Sequence, residues 1–91
     1  MAASQARLLM LTARKSDLEL QLQYITQVRI QIQNALRTAN AQQRQALVEA
    51  DKKLELQMKR IDVQHKAVQT EIETVQKVIQ KNIETSFKIH G

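Results

Sequence analysis

The chain has no cysteine, no proline and no tryptophan, and its only glycine is Gly91. Without cysteine there is neither a disulfide framework nor a thiolate metal site. Sheet folds need tight turns, and those turns draw on proline and glycine. Their near absence makes an all-α chain the expected class. Aromatic residues are limited to Tyr24 and Phe87, too few for a conventional globular core. Paired helices, a coiled coil or a multi-subunit assembly fit that composition better. The longest apolar run is Leu8–Leu11, far short of the roughly 20 residues of a membrane span. It is also too short for the core of a secretory signal, and no small-residue cleavage site follows it. The chain is therefore expected to be made in the cytoplasm without a cleavable signal. It would be extracellular or at the cell surface if exported by a route other than the general secretory one, and cytoplasmic otherwise.

What is present is helix-forming sequence. Gln, Lys, Glu, Ala, Leu and Arg dominate the 91 residues, a length that allows at most one small domain. The net charge is +5 and uneven: residues 1–45 carry six Lys/Arg against two acidic residues, residues 46–91 eight against seven. That excess favours solubility and acidic partners without bearing on the fold.

From Leu47 to Phe87 an apolar repeat organises the chain. Leu47, Leu54, Ile61, Val68 and Val75 recur every seven residues, and Met58, Ile72 and Ile79 fill the alternate slots. Spacings of three and four place these residues on one stripe of a helix, which must be buried against another helix. The first half carries a matching stripe: Leu8, Leu11, Leu18, Leu22, Ile25, Ile32 and Leu36. Ser16-Asp17-Leu18-Glu19 has the form of a capping box, but the stripe stays in phase across it, so one continuous helix is expected there. Leu9, Ala13, Leu20 and Tyr24 form a second apolar face, the mark of a helix with two neighbours.

Arg37–Arg44 divides the two stripes, and Thr38 and Asn40 are its weak helix formers. Asn tolerates the left-handed backbone found in turns between helices. The expected fold is an antiparallel two-helix hairpin, coiled-coil-like, that oligomerises. Helix 1 is placed at about 4–38, the turn at about 39–42 and helix 2 at about 43–88 of a single domain spanning 1–91. The alternative is one uninterrupted rod, roughly 135 Å long at ~1.5 Å per residue.

In the hairpin Leu36 meets Leu47, Ile25 meets Met58, Leu22 meets Ile61, Leu11 meets Ile72 and Leu8 meets Val75. Arg29 enters the seam near Asp51, and a charge there needs a partner, so the two are expected to pair. Helix 1 ends before helix 2 does, which leaves Ile83, Phe87 and Ile89 without a partner in the chain. Contacts between subunits are assigned to Leu9, Leu20, Tyr24, Ile79, Ile83, Phe87 and Ile89.

Nothing in the sequence spells out a reaction. There is no nucleophile–base arrangement, metal-ligand spacing or Gly-rich phosphate loop, so no enzyme activity, cofactor, metal or small-molecule substrate is expected. Lys52, Lys59, Lys66, Lys77, Lys81 and Lys88 line the outer face of helix 2. Glu55, Asp62, Glu73 and Glu84 lie four residues before four of them, the favoured order for intrahelical pairs. A solvated face is expected rather than a nucleic-acid surface, because no stacking aromatics accompany it. His65 lies in the seam opposite Leu18, where it is read as a packing residue ahead of a pH switch. Residues 4–15 are basic and amphipathic, but they continue the packing stripe, so a membrane surface is the weaker reading.

Ser4–Glu19 resembles the opening of a group of small helical bacterial proteins, and Val75–Lys88 resembles their ending. In that group the two ends recur together while the middles differ, which implies ends that pair in space. The architecture is also similar to type III secretion needle subunits and to the terminal-helix core of flagellin, helical pairs that stack into tubes. The chain lacks the needle subunits' proline in the turn and the Asn-rich flagellin signatures. The resemblance implies a structural subunit of a bacterial filament or tube. A cytosolic coiled-coil adaptor or export chaperone, a small dimer or four-helix bundle, is the alternative.

Overall fold

A computed structural model of the chain describes Ala2–His90, with side chains from Ala3 to Ile89. The described residues form two helices, α1 (Ala2–Leu36, 35 residues) and α2 (Ala41–His90, 50 residues), packed side by side. The hairpin measures 73 × 16 × 15 Å, about half the length of the rod alternative.

No proline or glycine interrupts either helix. The threonines within them are accommodated by back-bonding: Thr12, Thr26, Thr70, Thr74 and Thr85 each donate to the carbonyl four residues earlier, at 2.8–3.0 Å. Ser16–Glu19 starts no new helix, since its amides are already committed to a continuous ladder.

The turn differs from the expectation in its bounds and in the role of Asn40. The Arg37 and Thr38 amides donate to the Asn34 and Ala35 carbonyls, both at 3.3 Å, tightening the end of α1 so that it closes at Leu36, two residues early. No non-glycine residue among those described has a positive φ, so Asn40 is not the left-handed residue of the turn. It is instead the N-cap of α2. Asn40 Oδ1 accepts from the Gln43 amide at 2.9 Å, and Gln43 Oε1 accepts from the Asn40 amide at 3.1 Å. This reciprocal pair is a capping box, and it starts α2 at Ala41 rather than near residue 43. Arg44 then reaches back across the turn and donates to the Leu36 carbonyl at 3.1 Å, satisfying an acceptor that the end of α1 leaves open.

The core is the seam between the helices. Leu11, Leu18, Ile25, Ile61, Val68 and Ile72 form its buried cluster, with Leu8, Leu22, Leu54, Met58 and Val75 packed against it. Ile32 is also buried, and Leu36 and Leu47 are half-buried toward the turn. Only apolar side chains are buried among the described residues, so the seam holds by removing hydrocarbon from water at about 25 cal/mol per Å².

Asn40→Ala should lower stability by about 1 kcal/mol, the usual weight of an N-cap. The check is the urea midpoint at fixed protein concentration, with helical content at zero urea unchanged. An unchanged midpoint would show that the cap carries no weight.

Candidate interaction surface

The hairpin has two long sides, and their chemistry differs. One carries the Arg29–Asp51 and His65–Glu19 cross-links. Arg29 sits at the seam and grips Asp51 with two bonds, Nε to Oδ1 at 2.8 Å and Nη2 to Oδ2 at 3.1 Å. Its Nη1 also lies 3.4 Å from Met58 Sδ. The two side chains are 30% and 18% exposed, so the fork is partly desolvated while water still reaches it. The hydrogen bond from Arg29 holds the Asp51 carboxyl below its ordinary value of 3.8, against the opposing effect of desolvation, and the Arg29 guanidinium is raised in turn. His65 Nε2 lies 3.1 Å from Glu19 Oε1 on this side. Glu55, Lys59 and Asp62 border a hollow beside Leu22, Arg29 and Met58. The outer lysine face is only partly paired as its spacing implies. Lys59 meets Glu55 at 3.5 Å and Lys66 meets Asp62 at 3.2 Å. Glu73 and Glu84 instead accept from Gln69 and Gln80, each at 3.3 Å.

The other side is apolar and amide-rich. A groove of about 610 Å³ runs along it, with Ile25, Leu54 and Ile61 toward its floor and Leu20 and Tyr24 on its α1 wall. Gln21, Gln57 and Gln64 contribute amides, and Arg60 is the only charged residue lining it. Beyond Arg60 and Gln64 the surface continues over Leu56 and Val63. Leu20, Tyr24, Leu56 and Val63 are each more than half exposed. Toward the open end of the hairpin, Arg7 donates to Glu71 at 2.6 Å and Arg14 to Gln64 at 3.3 Å, tying α1 to α2 past the groove.

The residues assigned to contacts between subunits fall into separate places. Leu20 and Tyr24 share the groove wall. Leu9 is exposed on α1 outside the groove, and Ile83, Phe87 and Ile89 are exposed near the end of α2. Ile79 is half-buried, still within reach of the seam. Leu56 and Val63 complete the apolar face and were not among the assigned residues. Their seven-residue spacing was the available signal, but one such pair, off the main stripe, reads as ordinary surface hydrocarbon.

No helix among the described residues is long and apolar enough to cross a membrane, and no three of their His, Asp or Glu side chains converge as a metal site. No family model, curated protein or solved structure matches the chain.

The Asp51 geometry fixes a pH dependence. Its folded-state value lies below 3.8, so its contribution to stability is present above that pH and is lost as pH falls through the folded value. Acid titration followed by circular dichroism should show helicity falling below pH 3.8 in the wild type, and Asp51→Asn should flatten that part of the curve. Identical acid limbs would contradict the assignment.

Proposed function

We propose that the chain is a self-assembling structural subunit that joins its copies by helix–helix packing, most concretely the subunit of a bacterial filament or tube in a secretion or surface appendage. The observation that carries this reading is the amount of surface the hairpin leaves open. It exposes 7190 Å², whereas a compact monomer of 10.5 kDa exposes about 5,400 Å². The difference, about 1,800 Å², exceeds the ~800 Å² that each partner contributes to a standard interface. A single seam between two helices is also a small core for a chain of this length, and small scaffolds of this kind usually gain stability from association.

The end of α2 supports an assembly that grows. Ile83 and Phe87 follow Ile79 at spacings of four and carry the seam stripe past the start of α1. Phe87 is 76% exposed, an unusual state for a large aromatic on the extension of a core stripe. A helix from another copy would cover it, and each such side chain gains roughly 1.5–3 kcal/mol on burial. The resemblance to needle subunits and flagellin supports a tube on architecture alone. The groove favours a second reading, the adaptor or export chaperone, in which a small dimer holds a partner helix between its hairpins.

Sedimentation of the wild type and of Phe87→Ala separates the two. The filament reading expects large assemblies from the wild type, and a folded hairpin or small oligomer of undiminished helicity from the variant. Assembly unaffected by Phe87→Ala would remove α2's end from the interface. A wild type that stops at two chains would favour the adaptor.

A further inference from the structure

Building on that self-association, we infer that the groove between Tyr24 and Ile61 is the seat of a second copy of this chain, packed side to side as a four-helix unit.

The choice of occupant rests on area and charge. The surplus of about 1,800 Å² is large enough for one lateral interface of about 800 Å² per copy, with surface left for contacts at the end of α2. The groove itself is lined by no carboxylate and by Arg60 as its one charge, with Arg14 bonded to Gln64 at its edge and Lys59 beside Leu56 and Val63, whereas the opposite side carries Arg29, Asp51, Glu55 and Asp62. Burying the opposite side would desolvate several charges at once, a cost that Coulomb attraction often fails to offset. Burying the groove side covers no carboxylate of its lining: it desolvates the Arg60 guanidinium, amides and hydrocarbon, with Arg14 and Lys59 at its edges.

The groove is self-complementary under a two-fold axis parallel to the helices. That operation lays α1 of one copy over α2 of the other at the same height, and neighbouring helices stay antiparallel. Leu20 then stands over the second copy's Val63, and Tyr24 over the second copy's Leu56 and Arg60. The lone charge of each groove is met by an aromatic face, a cation–π arrangement. The two Arg60 side chains lie on opposite flanks, so they do not confront each other. An interface of this kind is isologous and closes at two copies. It leaves both exposed α2 ends at one end of the unit, free for the contacts proposed for Phe87.

Tyr24 supplies the readout without any substitution. It is the only tyrosine, and there is no tryptophan, so intrinsic tyrosine emission reports this one site. Acrylamide quenching of Tyr24 and sedimentation are measured on the same concentration series. Quenching should fall in step with the first rise in mass, from one chain to two. Leu56→Lys, a change at an exposed helical position, should raise the dissociation constant by roughly tenfold or more and keep Tyr24 accessible, with helicity unchanged. If mass rises while Tyr24 stays fully quenchable, copies associate through another face: the inference fails and self-assembly stands. If the mass stays at one chain throughout, self-assembly itself fails, and this inference with it. Should Leu56→Lys lose helicity, Val63→Lys makes the same test from the adjoining turn.

Discussion

A helix with apolar residues at spacings of three and four has one stripe to bury, and a chain with two such stripes can bury each on the other. Leu18 marks how far this goes, as the only large side chain among those described that is fully excluded from water. Around it the seam is one residue deep. Leu11, Ile25, Ile61, Val68 and Ile72 are buried within it, but no second layer covers them from either side. The groove follows from this geometry, because two cylinders in contact leave a furrow along each flank. One furrow is bordered by ion pairs and the other by hydrocarbon, glutamine amides and the single charge of Arg60. The asymmetry lies in the sequence, in which residues flank each stripe, and it decides which flank can be covered at low cost.

Arg29 shows how the seam combines apolar packing with selectivity. It occupies a place in the stripe where a hydrocarbon would pack, and it is tolerated because Asp51, one layer nearer the turn, accepts two of its bonds. Setting the register is the best-attested role of such a polar group in a coiled-coil seam.

Most of the hairpin was legible in the sequence because both stripes are long and uninterrupted, and periodicity is the most dependable local signal. Every residue assigned to the seam from Leu8 to Val75 is buried or half-buried in the structure. The pairing of Arg29 with Asp51 could be anticipated from their heights once a hairpin was assumed. The turn was less legible. Asn40-Ala41-Gln42-Gln43 can be read as a left-handed turn residue or as the start of a capping box, and spacing alone favoured neither. The Gln43 side chain decides the matter by returning a bond to the Asn40 amide. The groove was half legible. Leu20 and Tyr24 stood out as a second face of α1, but Leu56 and Val63 gain meaning only when α2 is placed beside that face. The helix packing creates that surface, which neither stripe encodes alone.

Assembly is the function proposed for the hairpin, and negative-stain electron microscopy of the purified chain at high concentration tests it most directly. Filaments or tubes of uniform width are the expected result, built from hairpins 73 Å long. Small discrete particles alone, at every salt concentration and pH tried, would contradict the account and leave a closed dimer as the working form of the protein.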